Sequence, residues 1–304
     1  MRVIIDGVFN HCGWRFFAFE DVVQKGEASR YKDWFYRLEF PVVRPEDPEA
    51  IPGYECFGYE RLMPKLDTAN PEVREYFCSV GEHWVREYGI DGWRLDVASE
   101  VDDSFWREFR RRVKAAKPEA LLIGEVWESA GHWLDGSMFD SAMNYELRRH
   151  CRRFFAEQTE DAFAFSGRCT GMLMRYRRQL VPAQLNLLDS HDVGRFLSLC
   201  GGDVRRYRLA VLFQLCFPGI PSVFYGDELG APVSWRPTTA ALCPGRAGMR
   251  NSCLLPPRHC PAPGAGAPTP RGFPLRFGGA RQRALRLFPG IRRRAGVRGR
   301  ELLR

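Results

Sequence analysis

The short apolar runs of residues 1–230 stop on chemically able polar side chains, and the stretches between them carry helical spacing. Val3-Ile4-Ile5 leads into Asp6–His11, and Gly92–Leu95 leads through Arg94 into Asp96. Ala120–Gly124 leads into Glu125, Ala183–Leu188 leads into His191 and Asp192, and Ile220–Tyr225 is a further strand. Helices are predicted over Pro71–Tyr88, with Asn70 as N-cap and Pro71 in the first helical position, over Asp103–Lys117, and over Arg205–Phe217. Strand alternating with helix predicts an α/β fold with a parallel sheet and crossovers. Polar groups gathered at the C-terminal ends of strands are how a (β/α)8 barrel builds its site. Residues 12–62, rich in Trp, Phe, Tyr and Pro, exceed a plain βα loop and are read as a small inserted lobe on that side.

Composition narrows the partners. The formal charge of +8 suggests nucleic acid until it is divided by region. Residues 231–304 hold fifteen Arg, no Lys, no Asp and one Glu, a net of +14, which leaves residues 1–230 at −6. The basicity therefore belongs to the tail, and no nucleic-acid partner is expected. That tail also holds 11 of the 21 prolines and shows no sustained period, so little regular structure is expected in it. No run of eighteen apolar residues exists, so no membrane partner is expected. The N-terminus, which reaches Asp6 after three apolar residues, does not read as a signal peptide. Ten cysteines without a C-x-x-C pair predict mostly free, buried thiols in a reducing cytoplasm, and no zinc or disulfide framework.

Five segments in order narrow the chemistry further. Asp6-Gly-Val-Phe-Asn-His11, Gly92-Trp-Arg-Leu-Asp96-Val, Gly124-Glu125-Val-Trp127 and Leu188-Asp-Ser-His191-Asp192 resemble the four sequence regions of the α-amylase family. Met63-Pro-Lys-Leu-Asp-Thr68 resembles the fifth, in the form seen in cyclomaltodextrinases, neopullulanases and maltogenic amylases. Tyr225-Gly-Asp-Glu-Leu-Gly230 looks like the end of the eighth barrel strand. Each segment alone is weak, whereas five in the right order are specific. Ser99, Glu128 and Val193 depart from the usual Asn, His and Thr, and none of the three is a candidate carboxylate.

The resemblance implies a partial (β/α)8 TIM barrel carrying strands three to eight over residues 1–230, with the lobe inserted after the first visible strand. It implies retaining hydrolysis of α-1,4-glucosidic bonds in short or cyclic maltodextrins. Asp96 is then the nucleophile, Glu125 the acid/base and Asp192 the third carboxylate. His11 and His191 contact the sugar, Asp6 supports Arg94, and Trp127 together with the lobe aromatics offers faces for sugars to stack on. Retention needs two carboxyl groups about 5–5.5 Å apart, one staying ionised and the other holding a proton. Arg94, two residues before Asp96 on the same side of the strand, is placed to hold Asp96 ionised. The reaction requires no metal or other cofactor. Some relatives bind calcium near the residue matching Asn10, and no calcium site is legible here.

The expected partner is an α-glucan oligosaccharide, with pairing of full-length relatives through an N-terminal β-domain. Strands one and two find no counterpart in the sequence, nor does the stacking aromatic that follows strand two. Weak turnover is therefore expected of the chain as written. Read from the second base, with synonymous codons chosen to suit, Cys253–Pro263 encodes Ala-Phe-Tyr-Arg-Arg-Ala-Ile-Ala-Leu-Arg. That resembles the family's helix after the last barrel strand, so a frameshift after Gly230 is the reading of the tail. Rival readings are a transglycosylase using the same residues, a non-catalytic module like the amino-acid-transporter heavy chains, and a nucleic-acid binder resting on the tail alone.

Overall fold

The computed structural model describes residues 1–231 apart from 48, 49 and 59. The expectations for the tail and its reading frame lie outside the described residues. Among the described residues six strands follow one another: β1 (Ile4–Gly7), β2 (Gly92–Leu95), β3 (Leu121–Gly124), β4 (Ser141–Ala142), β5 (Leu185–Asn186) and β6 (Ile220–Pro221). The first four form one parallel sheet in chain order, with Asp6 opposite Arg94 and Leu95 opposite Gly124. β5 pairs parallel with β6. A parallel bridge from Met143 to Leu185 and a 2.8 Å bond from Asn144 N to the Leu185 carbonyl join the two sets. All six strands therefore point one way, and their C-terminal ends share one rim.

The helices lie between the strands. The longest, α2 (Pro71–Tyr88), starts where Asn70 accepts the Glu72 N–H and stops where Gly89 turns left-handed. It packs on α3 (Asp103–Ala116), capped by Asp102, so closely that a Cβ on Gly81 would lie 2.2 Å from the Phe109 ring. Before them comes α1 (Phe17–Lys25), inside the segment 12–62. Its Ala18, Phe19 and Val22 share one buried cluster with Trp93, Leu95, Phe105 and Phe109. After β4 follow α4 (Tyr145–Cys151), continued by a π-helical turn, then α5 (Ala162–Arg175), α6 (Phe196–Leu199) and α7 (Val204–Cys216).

Two strand expectations need correction. Ile220–Tyr225 is strand only at Ile220 and Pro221. The N–H groups of Ile220 and Ser222 bond to the carbonyls of Gln184 and Asn186, and Phe224 N is then taken by Asp227 Oδ2, which turns the chain away. Ala183–Leu188 shortens to Leu185–Asn186 for want of a longer partner. Among the described residues no helix is long and apolar enough to cross a membrane. The seven described cysteines are free, with Cys78, Cys151, Cys169 and Cys200 buried.

Candidate active site

Asp96 and Glu125 are the first residues beyond β2 and β3, and the ladder carries on through them. Asp96 N bonds to the Gly7 carbonyl at 3.0 Å, and Glu125 N bonds to the Leu95 carbonyl at 2.9 Å. Their side chains meet one guanidinium. Arg94 Nη1 lies 2.8 and 3.0 Å from the two oxygens of Asp6 and 2.5 Å from Asp96 Oδ1. Its Nη2 forms an ion pair with Glu125 Oε2 at 2.9 Å, without hydrogen-bond alignment, and reaches Asp192 Oδ2 at 3.7 Å. Burial works against the charge of Arg94, and the carboxylates more than offset it, so its pKa lies above the ordinary value. Asp96 at 2.5 Å and Glu125 at 2.9 Å sit on opposite nitrogens of that group. This bounds the gap between their nearest oxygens at about 8 Å at most, a limit that admits the about 5–5.5 Å of a retaining pair and the wider spacing of an inverting one.

The two carboxyls differ in surroundings. Glu125 is only 3% exposed. Burial pushes its pKa up, and the negative charges of Asp192 and Asp96 push the same way. The Val97 N–H at 2.9 Å and Arg94 pull it down without reversing the direction. Asp96, by contrast, is fixed by the cation at its flank. Its neighbour Val97 has φ 43° and ψ 44°, a left-handed conformation that a β-branched residue rarely adopts. The Val97 N–H bonds to Glu125 Oε2 at 2.9 Å just before that twist. Gly124 is required just before Glu125, since a Cβ there would lie 2.5 Å from the Phe139 ring.

The other expected residues fall at different distances from this centre. His191 is exposed, with Nε2 3.2 Å from Asp192 Oδ1. His11 is buried, stacked on Phe57 with centroids 4.6 Å apart, and close enough to Asp96 to feel its charge. Burial lowers the His11 pKa and Asp96 partly restores it. A hollow of about 550 Å³ lined by Val8, His11, Phe16, Leu62 and Met63 opens on that side. Trp127 is 43% exposed, so it is a rim residue rather than a core one. Its indole N–H donates to Glu125 Oε1 at 3.2 Å. Asn10 stands apart from the carboxylates: it is fully buried, its Nδ2 faces Glu100, and its Oδ1 finds no hydrogen-bond partner. Among the described residues no group of three or more His, Cys, Asp or Glu is gathered to hold a metal.

Sequence reasoning missed Tyr145. Its ring lies flat under Trp127, 4.0 Å between centroids and 9° between planes. Its hydroxyl meets Ser190 Oγ at 3.0 Å and donates to Asp192 Oδ2 at 3.5 Å. The only local signal for it was Asn144, whose side chain caps α4 by accepting from Leu147 N.

Comparison with known proteins agrees with this architecture. The model of the α-amylase catalytic domain, a TIM-barrel fold, matches residues 1–243. Neopullulanase 2 of Thermoactinomyces vulgaris is 52% identical over 231 residues, covering 76% of this chain and 39% of that protein. A cyclomaltodextrinase of Geobacillus thermopakistaniensis is 50% identical over 230 residues, covering 76% and 38%. The solved structure of a cyclomaltodextrinase superposes with a TM-score of 0.73 at 49% identity, over 76% of this chain and 39% of that one. The chain thus spans about two fifths of the length of these relatives. On the family match and on relatives with half of their aligned residues in common, this chain belongs to the α-amylase family of glycoside hydrolases.

Proposed function

We propose that this chain encodes the centre for retaining hydrolysis of α-1,4-glucosidic bonds in short or cyclic maltodextrins. The observation that carries the reading is the division of labour around Arg94. One carboxylate is pinned to the cation at 2.5 Å, and the other is 3% exposed with its pKa raised. Asp96 attacks the anomeric carbon while Glu125 gives its proton to the departing glycosidic oxygen. The sugar is then held as an ester on Asp96. Glu125, now ionised, takes a proton from water as that water attacks the same carbon. The ester bond breaks, Asp96 is freed and Glu125 is protonated again. Two inversions at one carbon give retention. Asp192 grips hydroxyls of the sugar and stabilises the positive charge that develops on it, while His11 and His191 hydrogen-bond the sugar.

In this reading β1 to β6 are the third to eighth strands of the family's barrel, residues 12–62 are its inserted lobe, and 231–304 is a separate segment. Trp127 offers an exposed edge to a bound glucan. No metal enters the reaction. Calcium would be sought near Asn10, whose Oδ1 has no hydrogen-bond partner. Thiols buried in an apolar core favour a reducing cytoplasm.

The test is direct. The chain is incubated with maltodextrins and cyclodextrins, and the anomer formed first is read by proton NMR. An α product, lost in Asp96→Asn, is the expected result. A β product overturns retention, and undiminished turnover by Asp96→Asn overturns the assignment of the nucleophile. Glycosyl transfer to an added labelled acceptor in preference to water would favour the transglycosylase instead.

A further inference from the structure

The side-chain amide of Asn10 stands at a junction that the proposed reaction leaves unused. Asn10 follows β1 and is fully buried. Its backbone carbonyl accepts the Leu66 N–H at 3.0 Å, Cys12 N donates to the Pro64 carbonyl at 3.0 Å, and His11 forms an antiparallel bridge with Lys65 between them. The chain just past the inserted segment is thus laced to the residues that follow β1. In this seam Asn10 Nδ2 faces two groups from different parts of the sequence. Glu100 Oε2, from the turn after β2, lies 3.4 Å away, and Nδ1 of the neighbouring His11 lies 3.5 Å away.

The partners fix which way this amide points. Glu100 Oε2 pairs with Lys65 Nζ at 2.8 Å. A carboxylate so paired only accepts, so the atom turned toward it has to be the NH2 of the amide. Turned over, the amide would set its carbonyl oxygen against the carboxylate. The same NH2 is what His11 Nδ1 meets. An imidazole N–H there would put hydrogen against hydrogen, so Nδ1 has to present its lone pair. The surroundings keep the ring neutral. Burial lowers the His11 pKa, Asp96 and then Glu100 restore only part of it, and Lys65 lowers it further. A neutral imidazole with its lone pair on Nδ1 carries its hydrogen on Nε2. At 3.4 and 3.5 Å both bonds are long. They add little to stability, and their effect lies in the choice between two tautomers.

We propose that Asn10 is a positioning residue for His11: its NH2, anchored on Glu100, holds the imidazole as the Nε2–H tautomer and so leaves Nε2 as a hydrogen-bond donor for a sugar oxygen. The plane of the ring is set separately, by Phe57 stacked on it at 4.6 Å and 5°. Among the described residues His11 Nε2 has no hydrogen-bond partner of its own, so its hydrogen is available to a ligand. Lys65 acts on the ring at one remove, through Glu100 and then Asn10. The sugar as acceptor rests on the reading above, whereas the tautomer does not.

The full chain is prepared with isotope-labelled histidine. At neutral pH, long-range proton–nitrogen correlation shows which ring nitrogen of His11 bears hydrogen, and the signals of His11 are those missing from His11→Gln. In the wild type the Nε2–H form should outweigh the Nδ1–H form by about tenfold or more, the worth of one hydrogen bond. In Asn10→Asp the group facing Nδ1 becomes an acceptor, so hydrogen should appear on Nδ1. In Asn10→Ala nothing selects, and the two forms should approach parity. A purely structural asparagine would leave the tautomer unmoved. Hydrogen on Nδ1 in the wild type, near-equal forms there, or hydrogen confined to Nε2 in both variants would overturn the proposal. Should neither variant fold, the wild-type spectrum decides alone. Added maltotriose should displace the wild-type Nε2 signal. If it does not while the tautomer pattern holds, His11 is not a sugar contact and the assignment of its hydrogen to Nε2 by Asn10 stands.

Discussion

The indole N–H of Trp127 donates to Oε1 of Glu125 at 3.2 Å, while Oε2 accepts the Val97 N–H at 2.9 Å. Both donors favour the ionised carboxylate, so they set how high burial can raise the pKa of the proposed acid. In Trp127→Phe the ring remains and the donor goes. The alkaline limb of kcat/KM should then move up by as much as about one unit. A limb that stays in place, or moves down, would show that this bond does not tune Glu125.

Replacing Glu125 should hurt only substrates whose leaving group needs a proton. Glu125→Gln is expected to lower turnover of maltodextrins by about a hundredfold or more, in the range of general acid catalysis. On α-maltosyl fluoride, whose fluoride leaves unprotonated, the first step should survive. Asp96→Asn should lose both substrates. Equal loss on both by Glu125→Gln would remove it from the acid role.

Gly81 offers a test of packing away from the site. Alanine there improves helix propensity by about 1 kcal/mol. Its Cβ, however, would stand 2.2 Å from the ring of Phe109, which is fully buried. Overpacking of that kind costs about 1–3 kcal/mol. Gly81→Ala should therefore lower the denaturant midpoint, and adding Phe109→Leu should recover part of it. A stabilised Gly81→Ala would show that α2 and α3 can slide apart freely.

Among the described residues β1 pairs only with β2 and β6 only with β5, so each has an edge that carries no strand. Ile4 of β1 and Ile220 of β6 are exposed, as are Val3 just before the first and Val223 just after the second. A closed barrel fixes tilt and stagger together, and an open edge frees both. Displacement of a catalytic group by about 1 Å can cost on the order of a hundredfold in rate. Turnover of maltodextrins by this chain is expected to be at least that far below a full-length cyclomaltodextrinase, and the chain should self-associate as concentration rises. Matching turnover from a monomeric sample would contradict the argument from the edges.

How much of this was legible depends on whether the signal was local. α2 was readable to the residue because Asn70, Pro71 and Gly89 mark its ends by their own backbone preferences. β2 and β3, with Asp96 and Glu125 behind them, were readable because each run is apolar and stops at once. β4 was not. It is two small residues held in the sheet from outside, where Arg110 and Lys114 fix Asp140, which in turn accepts Leu122 N. With β4 unseen, Tyr145 had no strand to follow and no reason to stand out. Arg195 lay just past a recognised motif, yet the Asp227 with which it pairs at 2.8 Å is 32 positions away, and only the fold puts the two together.

Val97 holds its N–H toward Glu125 from a backbone basin that valine avoids, at a cost on the order of 1–3 kcal/mol. What keeps it there is the ladder on either side, Asp96 N to the Gly7 carbonyl and Ala98 N to the Glu125 carbonyl at 3.2 Å. On warming, the valine is drawn back to an extended conformation as soon as those two bonds begin to open, well before the core around Phe109 melts. Heat should then silence such a centre while the fold persists. On a single temperature ramp, turnover should fall at a lower temperature than ellipticity, and Val97→Asn, at ease in the left-handed basin, should bring the two curves together.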